Sequence, residues 1–201
     1  MNADGRPLVL VDVDDVLNMI EFSSASRRHL VHHHDWRRGH AYSGGCRYTL
    51  IVNPAHGPIL RDLAASTGAE LAWATTLEDA ANQYVAPLLG LPRLPTVTPA
   101  PAGDKAAHVV PWTVGRPWVW LDNDETELAA ASHLAQQTGQ RHLCVPVNPA
   151  LGLTARDAEQ ARAWLTGTTT AATGPFDDVN VPCGNAKCPW ARPHGGLPEP
   201  A

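Results

Sequence analysis

Apolar residues follow two rhythms along this chain. Leu8–Val11 is an unbroken apolar run rich in valine, which predicts a strand buried on both faces, as in a parallel sheet. Apolar-rich stretches at 48–52, 70–74, 118–121 and 142–147 predict further strands. Between them apolar residues recur at helical spacing. Ile59, Leu60, Leu63 and Ala64 predict a helix over 58–66, stopped by Gly68. Thr76, with Asp79 three residues on, predicts a capped helix reaching about Leu89. Residues 105–110 begin a short helix, and Glu125–Gln137 is an alanine-rich one ended by Gly139. Thr154, again with an aspartate (Asp157) three residues later, predicts the cap of a last helix reaching about Leu165. Strand then helix, repeated without an internal repeat of sequence, argues an α/β fold. The expected architecture is an open parallel sheet with helices on both faces.

Some stretches break the rhythm. Residues 20–47 are polar, rich in Arg and His, and contain Gly44-Gly45; they read as a flap inserted after the first strand. Residues 91–102 are a proline-rich loop. From Gly167 the composition turns to Thr, Ala, Gly and Pro, which predicts a loose tail over 167–201 behind a domain of residues 1–166. The net charge of −5 argues against an overall basic coat while allowing a local basic patch. The first apolar run is soon broken by carboxylates, and nothing approaches the roughly 20 apolar residues of a membrane span. With only four cysteines, the expectation is a cytoplasmic protein with reduced thiols and no membrane partner.

In open α/β sheets ligands bind beyond the carboxyl ends of the strands. The first strand delivers Asp12-Val13-Asp14-Asp15, the 70–74 strand Thr75-Thr76, and the 118–121 strand Asp122-Asn123-Asp124, with Lys105 in the connection before it. Carboxylates, a hydroxyl and a lysine are thus expected at one edge. That set suits phosphoryl transfer. One carboxylate can attack phosphorus, and a second, two residues on, can protonate the leaving oxygen and later activate water. Clustered carboxylates call for a cation, for which Mg²⁺ is the usual oxygen-loving choice. Lys105 and a threonine hydroxyl can hold phosphate oxygens. Thr75, the first residue past the apolar run, is favoured over Thr76 as that hydroxyl.

These residues fall in the order of four motifs. Leu-Val-Asp12-Val-Asp14-Asp15-Val resembles the first motif of the haloacid-dehalogenase (HAD) superfamily, Leu-Ala-Trp-Ala-Thr75 the second, Lys105 the third and Trp-Leu-Asp122 the fourth. The words Tyr-Thr-Leu-Ile-Val-Asn-Pro, Ala-Trp-Ala-Thr-Thr and Asn-Pro-Ala-Leu-Gly-Leu-Thr are similar to the HAD domains of "Swiss Army Knife" RNA-repair proteins. The resemblance spans roughly residues 8–166. It implies a Rossmann-like sheet with the first strand central, and the chain is read as one such domain with a flap after the first strand and no large cap. It further implies a phosphatase with Asp12 as nucleophile, Asp14 as general acid and base, and Thr75 and Lys105 on the phosphoryl oxygens. Mg²⁺ would be bound by the Asp12 side chain, the Asp14 main-chain carbonyl and Asp122. Asn123 between Asp122 and Asp124 departs from the usual fourth motif and leaves open whether Asp124 assists.

Residues 27–47 carry five arginines and five histidines against Asp35 alone. They read either as a solvated loop or as a clamp for a polyanion such as an RNA or DNA end, with Arg27, Arg28, Arg37 and Arg38 on phosphates and Trp36 or Tyr42 stacked on a base. A small-molecule phosphatase and a non-catalytic binding module stay open as rivals. Cys183, Cys188 and His194 have slightly wide spacing and one ligand too few for a zinc site, so ordinary tail residues are the preferred reading. Cys144 is expected in the core, and Trp73, Trp118 and Trp120 are expected as packing residues.

Overall fold

A computed structural model describes residues 5–19, 36–43 and 45–168. Its centre is a four-stranded parallel sheet in the order β4-β1-β5-β6, formed by β1 (Leu8–Val11), β4 (Glu70–Trp73), β5 (Trp118–Asp122) and β6 (His142–Pro146). Every residue of β1 is buried, as its unbroken apolar run requires. Alternation along the strand feeds two cores. Val9 and Val11 pack with Leu60 and Leu63 of α1 (His56–Thr67) and with Ala158 and Ala161 of α5 (Ala155–Thr166). Leu8 and Leu10 pack on the opposite face with Val109 and Val110 of α3 (Ala106–Trp112) and Leu128 and Ala131 of α4 (Glu125–Gln137). The α/β fold with helices on both faces of a parallel sheet is therefore observed, and Trp73, Trp118 and Trp120 are fully buried in it.

Three expectations are corrected. Residues 48–52 do not join the parallel sheet. They belong to β3 (Cys46–Val52), which pairs antiparallel with β2 (Arg37–Ser43) as a separate two-stranded sheet. The C-terminal part of the expected flap, from Arg37, is thus a regular hairpin, while residues 20–35 lie outside the described residues. Thr76 caps no helix. The chain after β4 makes turns and enters a wide helical turn, Ala81–Val85, that runs into α2 (Ala86–Leu89). The reason is Asn82, which is buried. It accepts from Trp73 Nε1 at 3.0 Å and Leu94 N at 2.7 Å, and donates to Leu94 O at 2.8 Å. Those bonds fasten the proline-rich loop along the edge of β4, and Asp79 serves Asn82 and Arg93 in place of a capping box. Finally, β6 is the edge strand, so Cys144 is half-buried and not deep in the core. The capping box of Thr154 and Asp157 forms as expected. No described helix is long and apolar enough to cross a membrane. The tail, with Cys183, Cys188 and His194, lies outside the described residues.

Gly57 tests how closely α1 and α2 approach. A Cβ there would lie 1.8 Å from Leu89 O, a backbone atom that cannot turn aside. Gly57→Ala is expected to cost about 3 kcal/mol or more. Gly68→Ala, at a helix end with φ of 67° and open space, should cost only about 1 kcal/mol. Denaturant unfolding of both variants checks the contrast.

Candidate functional site

The connection out of β1 leads to β4 on one side, and the chain then crosses back to β5 on the other. The switch point of the sheet therefore lies between β1 and β5, where ligands of open α/β sheets bind. Asp12 directly follows β1 there, and its N–H donates to Leu121 O at 3.0 Å. β5 ends there in Asp122. Val11 and Leu121 are register partners, so the two carboxylates leave the sheet at the same level. Both are buried, Asp122 completely.

Lys105 joins them. Its Nζ donates to Asp122 Oδ2 at 2.6 Å and lies 3.4 Å from Asp12 Oδ2. The ammonium also sits 5.6 Å from the centre of the Trp120 ring, which walls the site from the second core. Lys105 is itself held in place by Glu127 of α4. That buried carboxylate accepts from Lys105 N at 3.0 Å and Ala106 N at 2.8 Å, capping α3 from a neighbouring helix. Asp124 caps α4, accepting from Thr126 N and Glu127 N. Its own N–H donates to Asp122 Oδ1 at 2.9 Å. Asp124 thus shapes the loop under Asp122, its side chain engaged by the helix cap.

Asp14 stands in the loop after β1, half-buried, its Oδ1 accepting from Asn18 Nδ2 at 2.9 Å. Asp15 takes a positive φ of 55°, a conformation aspartate tolerates better than most residues. Thr75 follows the end of β4. Ala74 N donates to Val11 O at 3.0 Å, which sets Thr75 beside the Asp12 segment. Thr75 is fully buried and Thr76 exposed.

Charge at so little exposure perturbs every group. Burial first, then the charge of Asp122, push Asp12 up to about 8, with Lys105 pulling the other way. Burial likewise raises Asp122 against the pull of Lys105, and raises Asp14 against the Asn18 hydrogen bond. For Lys105 burial acts downward, but Asp12 and Asp122 outweigh it and the ammonium is raised.

The basic residues divide. Arg37, Arg38, His40 and Arg47 are exposed on the hairpin, with the rings of Tyr42 and Tyr48 among them. Arg37 also donates to Leu88 O at 3.1 Å, anchoring the hairpin to α2. Trp36 is not an exposed stacking ring: it is half-buried and meets His56 edge-on at 6.1 Å between centroids. Arg27 and Arg28 lie outside the described residues. Among the described residues no three His, Cys, Asp or Glu side chains gather as a metal site. Were Asp12, Asp122 and the Asp14 carbonyl to hold a cation, they would bring only two side chains, as for a hard cation that keeps several waters.

Glu127 and Asn18 were not singled out by sequence reasoning. Asp124 and Glu127 do have capping-box spacing, but Glu127 serves the helix opposite and not its own. In comparisons with family models, curated proteins and solved structures, nothing matches the chain.

Two outcomes follow from this geometry. An acid whose pKa is raised on folding stabilises the fold at low pH and loses that contribution as pH rises toward the folded value. For Asp12 the window runs from 3.8 to about 8. Asp12→Asn removes the penalty, so in chelator its melting temperature relative to wild type should climb with pH across that window, as thermal scans would show. Glu127→Ala leaves the Lys105 and Ala106 N–H groups without their acceptor and should cost about 2–4 kcal/mol, read by denaturant unfolding.

Proposed function

We propose that the chain is a Mg²⁺-dependent phosphomonoester hydrolase of HAD type that works through an aspartyl-phosphate intermediate. One observation carries this reading: a single ammonium bridges two buried carboxylates at the switch point of a parallel sheet. Asp12 is the nucleophile. As one of its oxygens bonds to phosphorus, the bond to the leaving oxygen breaks, and Asp14 supplies the proton that the leaving oxygen takes up. Asp14, now a carboxylate, accepts a proton from the water that hydrolyses the aspartyl phosphate, restoring Asp12. Lys105 and Thr75 hold the phosphoryl oxygens. Asp12, Asp122 and the Asp14 carbonyl would hold Mg²⁺, which when bound supplies positive charge to shield the attacking carboxylate from the anionic phosphate.

The hairpin supports a polyanionic substrate, an RNA or DNA end. Residues 36–52 contain no Asp or Glu, and Arg38, His40 and Arg47 are exposed beside Tyr42. The residues paired across the hairpin, Arg38 with Ile51, His40 with Thr49 and Tyr42 with Arg47, share one face. Arginine for phosphate and tyrosine for bases is the composition a single strand recognises.

Phosphate release from an aryl phosphate, with and without Mg²⁺, tests the chemistry. Wild type should need the metal, and Asp12→Asn should lose about 10³-fold or more; full activity in that variant would remove Asp12 as nucleophile. Phosphorylated oligonucleotides should compete better than mononucleotides. The reverse order would favour a small-molecule phosphatase, and oligonucleotide affinity without any turnover a binding module.

A further inference from the structure

Asn18 is a polar side chain in the apolar run Val16-Leu17-Asn18-Met19, and only 2% of it is exposed. Both ends of its amide are used. The oxygen accepts from Ile51 N at 2.7 Å and the nitrogen donates to Asp14 Oδ1 at 2.9 Å. The Ile51 N–H can bond only to an acceptor, so the amide has one orientation and its N–H must face Asp14. A second link fixes the same join, since Met19 N donates to Ile51 O at 3.0 Å. One side chain therefore ties the Asp14 carboxyl to the basic hairpin.

We infer that Asn18 is a positioning residue for proton donation to the leaving group, an inference that rests on the phosphatase reading above. By occupying Asp14 Oδ1 with a neutral donor, it leaves Oδ2 to carry the proton. When the Asp12 oxygen bonds to phosphorus, the electron pair of the breaking P–O bond stays on the leaving oxygen. The Oδ2 proton passes to that oxygen, so a neutral alcohol departs and Asp14 is left as the carboxylate. Asn18 touches neither phosphorus nor the leaving group and acts only through Asp14.

The test uses two esters on the full chain in Mg²⁺. A nitrophenyl phosphate has a leaving group that departs without a proton; an alkyl phosphate needs one. The ratio of their kcat values within one preparation does not depend on how much of the protein is folded. In Asn18→Ala the alkyl ester should lose about tenfold or more beyond the aryl ester, within the range of general-acid contributions. Asn18→Ser, whose hydroxyl can still accept a hydrogen bond but is too short to bridge to Asp14, should shift the ratio the same way if Asn18→Ala does not fold. An unchanged ratio, with both rates falling together, would make Asn18 a purely structural staple and overturn the inference while the phosphatase reading stands. Wild type that hydrolyses neither ester would overturn both.

Discussion

One ammonium between two buried carboxylates is the constraint around which this molecule is arranged. Lys105 and Asp122 meet at 2.6 Å with Asp12 at 3.4 Å, all three nearly without solvent. Charges so placed lose their hydration, and only mutual contact offsets that loss. The contact exists only when β1 and β5 pair in register and the start of α3 lies at their ends. Glu127 then fixes the backbone of Lys105 from α4. The arithmetic of charge matters as well. One cation against two anions leaves one negative charge over, and it can be met by a proton on Asp12 or by a second cation from outside. Burial raises Asp12 first and the charge of Asp122 second, and the proposed Mg²⁺ would meet the same unbalanced charge.

Much of this arrangement was legible in the sequence, for reasons that are local. An apolar run ending in Asp reads as a buried strand that delivers a carboxylate at its end. Asp12 and Asp122 both have that form, and the alternation of strands and helices brings such ends together whatever the order of the sheet. Lys105 could be placed because it lies in the connection just before the strand that ends in Asp122. What escaped were residues whose partners are distant in sequence. Glu127 has the spacing of an ordinary helix cap, and nothing local shows that it faces Lys105, 22 residues away. Asn18 bonds to Ile51, 33 residues away. The hairpin was hidden by composition: β2, Arg37–Ser43, alternates too weakly to suggest a strand, because its inward positions are Gly39 and Ala41. A Cβ at Gly39 would meet Leu88 Cδ1 at 3.1 Å, a tight contact to which the leucine side chain would have to yield by a few tenths of an ångström.

The loop that carries Asp14 is gripped from both sides. On one side Asn18 and Met19 bond to Ile51 of the hairpin. On the other, Leu153 N donates to Val16 O at 2.7 Å, and Gly152 lies so close that a Cβ would be 2.9 Å from the same carbonyl. His56 packs against that turn, its ring kept uncharged because burial lowers it to about 4. A loop fixed in this way has little reorganisation left for a ligand to drive. In the proposed reaction the adjustable part is therefore Lys105, a flexible chain of methylenes ending in three donors. To hold a phosphoryl oxygen it need only exchange part of its bond to Asp122 for one to the incoming group, without moving a strand. The carboxylate it releases stands where a cation is wanted, so metal and phosphate are best bound together: each supplies the charge that the other's arrival leaves unmet.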